Sequence, residues 1–127
     1  MKETVSLADE VRGKPQMRLD DLDGLPDDEL RAVVPVLSPA GRWRVEEGRV
    51  LARFGPGGDF IEVCRLDDVA AVMLDAMDGA RTVEEVAWQV VDRVGASWSD
   101  AWPGVRERFL TLARRGVCRP RGSGLAG

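Results

Sequence analysis

The chain contains no histidine. This removes the commonest general base and the commonest metal-ligating side chain, and with them any Ser-His or Cys-His nucleophile. Cysteine is scarce: Cys64 and Cys118 lie far apart and form no CxxC pair, so a zinc or redox dithiol site is not expected and both should be reduced thiols. Paired carboxylates and glycine-rich phosphate loops are also missing in any recognisable setting. Catalysis by this chain alone is therefore not expected, and no cofactor or metal is implied. No apolar run approaches the roughly 20 residues of a membrane-spanning helix. Met1 to Glu10 carries acids where a secretory signal would be apolar. The expectation is a cytoplasmic protein with no membrane association.

What is present suits one compact domain plus flanking segments. The chain has 127 residues, 44% hydrophobic and 31% charged, with a net charge of −4. The charge is uneven. Met1 to Arg31 is acidic, with Asp20, Asp21, Asp23, Asp27, Asp28 and Glu29 clustered, whereas Arg106, Arg108, Arg114, Arg115, Arg119 and Arg121 make the last stretch basic. Residues 1–34 read as an acidic N-terminal arm, partly flexible, with a short helix near 27–34 opened by Pro26 and the acids after it. Pro35 and Ser38-Pro39-Ala40-Gly41 should stop that helix.

Residues 35–120 read as the folded domain, and 121–127 as a flexible tail. Around Trp43–Val45, Val50–Phe54 and Phe60–Cys64, apolar residues alternate with polar ones. The turns Glu46-Glu47-Gly48 and Gly55-Pro56-Gly57-Gly58-Asp59 separate them, which predicts an antiparallel three-strand meander. Three helices follow. The first, capped by Asp67 or Asp68, should bury Val69, Val72, Met73, Ala76 and Met77, and Gly79 should stop it. The second opens on a capping box, Thr82 with Glu85, and should bury Val83, Val86, Ala87, Val90, Val91 and Val94 up to Gly95. The third should be capped by Asp100, so that Pro103 falls in its first turn, and should bury Val105, Phe109, Leu112 and Ala113. Gly116 closes it, and Val117-Cys118 adds an extended stub. The fold class is α+β: a three-stranded antiparallel sheet followed by three helices.

Three stretches together resemble the PqqD family, the RiPP recognition elements that bind precursors of ribosomally made, post-translationally modified peptides. They are Gly48-Arg49-Val50-Leu51, Phe60-Ile61-Glu62-Val63 after its glycine turn, and Asp78-Gly79-Ala80-Arg81-Thr82-Val83-Glu84-Glu85-Val86. The spaced apolar third helix ending in Arg115-Gly116-Val117 completes the pattern, which spans about Pro35 to Pro120. The chain departs from it in its longer arm, and in Asp67-Asp68 where family members often carry an asparagine cap.

The resemblance implies a winged helix-turn-helix-like fold and a non-catalytic adaptor. Such an adaptor binds the leader of a precursor peptide as an extra strand beside the third strand and against the third helix. The implied peptide-binding residues are Phe60, Ile61, Glu62, Val63 and Cys64 on the strand, with Trp102, Arg106, Phe109, Leu110 and Ala113 on the helix. The implied partner enzyme is a RiPP-modifying one: a radical-SAM protein, a cyclodehydratase, a dehydratase or a peptidase. A homodimer is compatible with the pattern.

The physics of edge-strand pairing is independent of any family, because an edge strand carries unpaired N–H and C=O groups. Met17 to Leu25 alternates acids with leucines, and one expectation is that it occupies the groove of its own or a neighbouring molecule. Two other functions compete: a winged-helix DNA-binding regulator and a structural subunit of a biosynthetic complex. The acidic balance argues against nucleic acid as a partner.

Overall fold

The computed structural model describes residues 22, 24–55 and 57–121. It is a mixed α+β fold with small antiparallel sheets and several helices around one core. In chain order the elements are α1 (Asp27–Arg31), β1 (Pro35–Leu37), β2 (Trp43–Glu46), β3 (Arg49–Ala52), β4 (Ile61–Arg65), α2 (Asp68–Ala76), α3 (Val83–Val90), a π-helical turn (Val91–Gly95), α4 (Trp98–Arg114) and β5 (Cys118–Pro120). The expected meander is β2-β3-β4, antiparallel throughout. Glu47 and Gly48 both take positive φ between the paired Glu46 and Arg49, the two-residue turn whose twist matches that of the flanking strands.

Caps set the helix boundaries. The Asp67 side chain accepts the Ala70 N–H at 2.8 Å to start α2. The Thr82–Glu85 capping box opens α3 with both of its reciprocal bonds in place. For α4 the structure corrects the expected start. Ser97, not Asp100, is the cap, and its Oγ accepts the Asp100 N–H at 3.2 Å. Pro103 therefore lies inside the helix, where it supplies no N–H to the carbonyl of Ser99 four residues earlier. The helix ends at Gly116 (φ +79°), with Val117 N–H bonded to the Leu112 carbonyl and Gly116 N–H to that of Ala113. This pattern needs a left-handed residue after the last turn and redirects the chain into β5.

The core joins all three long helices to the inner face of the sheet. Val50, Met73, Val83, Val86, Val90, Val105, Phe109, Leu112 and Val117 are fully buried. Val94, expected inside, is 38% exposed. The wider π turn over Val91–Gly95 breaks the 3.6-residue phase that would have carried it inward.

Two pieces read as peripheral are integral. The extended stub is β5, paired antiparallel with β1, whose Pro35 stops the preceding helix and also opens a strand. Leu22, Leu30 and Val33 are buried in the same core as the helices. Val83 N–H bonds the Val33 carbonyl at 2.7 Å. The structured unit therefore begins before residue 35. Met17 to Asp21 and Asp23, the centre of the proposed self-docking segment, lie outside the described residues. Its Leu22 packs in the core and Leu25 packs partly against it, not in a groove.

Candidate functional site

β4 is an edge. It pairs with β3 on one side, and among the described residues no strand covers the other. The register slips between Val50 and Leu51: Val50 faces Cys64 while Leu51 faces Glu62, which leaves Val63 as an extra, bulged residue. A bulge breaks strict alternation and can turn two successive side chains the same way. Val63 and Cys64 are accordingly both half-buried, and both pack against the core. Beyond the bulge, Leu66 donates its N–H inward to the Gly48 carbonyl at 2.9 Å. Neighbouring residues of a strand point their polar groups to opposite sides, so Arg65 turns its N–H and C=O to the open edge.

Between this edge and α4 lies a groove of about 350 Å³ lined by Val63, Cys64, Arg65, Asp67, Glu107, Arg108 and Thr111. Its floor is apolar and its rims are charged. Arg108 spans the α4 rim: its guanidinium holds both carboxylate oxygens of Asp67 (Nε to Oδ1 3.3 Å), and its Nη1 returns to the Gly104 carbonyl at 3.1 Å. The Arg108 hydrogen bond, aided by the Ala70 N–H, holds the Asp67 carboxyl below the usual carboxylate range. The same aspartate thus caps α2 and ties it to α4. Burial, with Asp67 nearby, pushes the Cys64 thiol up, which keeps it protonated and weakly nucleophilic at neutral pH. By register Ile61 lies on the same face as Cys64, because it opposes Ala52 as Cys64 opposes Val50. Its side chain is 56% exposed.

The strand half of the expected site is therefore assembled in part. Val63 and Cys64 line the groove, and Ile61 lies on the same face of the sheet as Cys64. Phe60 and Glu62 face the other way, into a concavity of about 550 Å³ shared with Arg44, Glu46, Arg49, Leu51, Gly58 and Asp59. There the Phe60 ring lies between the guanidinium groups of Arg44 and Arg53, at 4.1 and 4.8 Å from its centroid. The charges of that concavity pair with one another: Arg44 with Glu46 at 3.1 Å, and Arg49 with Glu62 at 3.6 Å.

On the helix, the groove wall is a different stripe from the one expected. Phe109, Leu110 and Ala113 are enclosed in the core. Trp102 is buried too, with its indole N–H donated to Asp27 Oδ2 at 3.0 Å, and Arg106 Nε meets Asp27 Oδ1 at 3.0 Å. The short helix α1 holds Trp102 through Asp27, and Leu110 is enclosed in the core. Glu107, Arg108 and Thr111 wall the groove instead. The signal that could have found them is phase: they fall out of step with the buried Val105, Phe109 and Leu112, on the flank facing the strand.

Among the described residues no group of three or more Cys, Asp or Glu could hold a metal ion, and no helix is long and apolar enough to cross a membrane. Compared with protein-family models and with curated proteins, the chain matches none.

Proposed function

We propose that this chain is a non-catalytic adaptor of the RiPP recognition element kind, with a winged-helix-like arrangement. It captures the leader of a ribosomally made precursor peptide and presents it to a modifying enzyme such as a radical-SAM protein, a cyclodehydratase or a peptidase. The leader adds as a strand beside β4 and lies against α4. The observation that carries this reading is the unpaired edge of β4 bordering an apolar-floored groove closed by a helix. Main-chain bonds to an edge give affinity with little sequence demand, and flanking pockets give selectivity. Val63 and Cys64 supply the apolar floor, exposed Ile61 extends it, and Arg65, Glu107, Arg108 and Thr111 read polar side chains of the leader.

The test is fluorescence polarisation of labelled synthetic leaders of ribosomally made precursor peptides. Binding at micromolar concentration or tighter is expected. Arg65→Pro removes an outward N–H that the domain itself does not use, so it should cost at least about tenfold in affinity while Arg65→Ala costs much less. Equal loss in both variants would show that charge, not strand addition, holds the peptide. No binding by the folded wild-type chain would end the reading.

A further inference from the structure

On the far side of α4 from the groove, three tryptophans form a ladder. Trp102 stacks on Trp98 (centroids 5.5 Å apart, planes 6° apart), and Trp98 meets Trp88 of α3 at 4.6 Å. Trp98 and Trp102 each lie nine residues before a groove residue, Glu107 and Thr111 respectively, or about two and a half turns, which places ladder and groove on opposite sides of the helix. The inner rung is buried, but the outer one is not: Trp88 is 48% exposed, one turn before half-buried Val91. A large aromatic left half in water beside other apolar groups is the kind of anchor found at the centre of protein interfaces.

The surroundings say what would cover it. Arg31 already lies over the Trp98 ring, with its guanidinium carbon 5.1 Å from the centroid, while it pairs with Glu84 at 3.2 Å. This is a cation held between an indole face and a carboxylate. One turn either side of Trp88, Glu85 and Asp92 repeat the acidic half of that arrangement, and Asp28 lies one turn before Arg31. None of the three has a cationic partner among the described residues, since the Glu85 carboxylate is used only to cap α3. A second copy of the chain would bring the same carboxylates against themselves in a two-fold contact, which repulsion disfavours.

We propose that the Trp88 face docks an arginine-bearing basic segment of a second protein. An arginine of the partner lies over Trp88 between Glu85 and Asp92, as Arg31 lies over Trp98 beside Glu84. Arginine suits the site better than lysine because a planar, weakly hydrated guanidinium stacks on an indole and bonds a carboxylate at the same time. The inference is independent of peptide binding at β4 and leaves that groove open.

The experiment is titration of the full chain with acetylated, amidated tetra-arginine, tetra-lysine and tetra-glutamate, followed through the indole N–H resonances of all the tryptophans. Tetra-arginine should shift the Trp88 and Trp98 signals and leave Trp43, on β2, in place. Trp88→Ala should weaken binding about three- to fivefold, and Asp92→Lys, which should leave the melting temperature nearly unchanged, should weaken it further. Tetra-lysine should bind more weakly, and tetra-glutamate should not bind. Equal binding of the two cationic peptides, movement of Trp43 in place of Trp88, no shift at millimolar peptide, or a Trp88-dependent dimer in sedimentation equilibrium would each overturn the proposal.

Discussion

Asp67 carries two tasks that are separable at the scale of a residue. Its carboxylate caps α2 through the Ala70 N–H and holds Arg108 at the rim of the groove. Asparagine can still cap, so Asp67→Asn should lose only the ion pair, whereas Asp67→Ala loses the cap as well and should cost about 1 kcal/mol more in urea unfolding. Thr82→Ala, which breaks the capping box of α3, should likewise cost about 1 kcal/mol. The two cysteines differ in a way that can be read by alkylation. Burial pushes the Cys118 thiol up to about 12, so it should label only on unfolding. Cys64, half-buried in the groove floor with its thiol shifted upward, should label slowly in the native protein, and slower still when a leader occupies the groove. Labelling of Cys64 that is unaffected by saturating leader would place the peptide elsewhere.

At the scale of elements, α4 shows how a stripe can be misread. Trp102 and Leu110 are apolar beyond the needs of the inner helix face, which makes them look like a ligand surface. Their apolarity serves α1 and the residues before it, whose Asp27 caps the Trp102 indole and whose Leu22 and Leu30 enter the core. A five-residue helix has no periodicity long enough to show which neighbour it will meet. A proline is harmless in a first turn, which makes Pro103 look like the third residue of the helix; α4 instead begins five residues before it and tolerates the lost bond. Pro103→Ala, at an exposed position, should therefore restore one helical bond and stabilise the protein by about 1 kcal/mol, with the gain reduced by the freer unfolded chain. A fall in melting temperature would mean that the restriction proline places on the unfolded chain outweighs the restored bond.

At the scale of the whole molecule, the described part of the arm is a third side of the core. Removing residues 1–31 takes away buried Leu22 and Leu30, at about 2–5 kcal/mol each, and uncovers Trp102. Such a truncation should melt far below the full chain or lose its cooperative transition in circular dichroism, and cannot serve as a test of self-docking by the arm. Acid sensitivity is also a property of the whole. Hydrogen bonds from Trp102 to Asp27, from Arg108 to Asp67, and from the Ala80 and Arg81 backbone to Asp78 hold these carboxyls below their ordinary range. Groups whose folded pKa is depressed favour the folded state when ionised. Their contribution is complete above the unfolded pKa of about 4 and is lost as pH falls through the lowered folded values. The urea midpoint should accordingly decline between about pH 5 and pH 2, and Asp27→Asn with Asp67→Asn and Asp78→Asn should flatten that decline.

The sequence by itself determined what depends on near neighbours in the chain. The β2–β3 turn needs Glu47-Gly48, the α3 start needs Thr82 and Glu85, the α4 stop needs Gly116, and the β2–β4 meander followed by α2, α3 and α4 follows from the spacing of Val50, Met73, Val86 and Phe109, whereas α1, β1 and the π turn do not. It also placed one wall of the candidate groove, because an edge strand after a glycine turn is a local feature. Only the tertiary structure decided the rest. Which flank of α4 meets β4 depends on what covers its other flank, and that is α1, some seventy residues away in sequence. The pairing of β1 with β5, which closes a long loop, the bulge that turns Val63 and Cys64 to the same groove, and the packing of α3 on α4 that leaves Trp88 in water all depend on how elements meet. Such contacts leave no periodic trace in the chain, since each is fixed by the packing of elements and not by the spacing of residues within one.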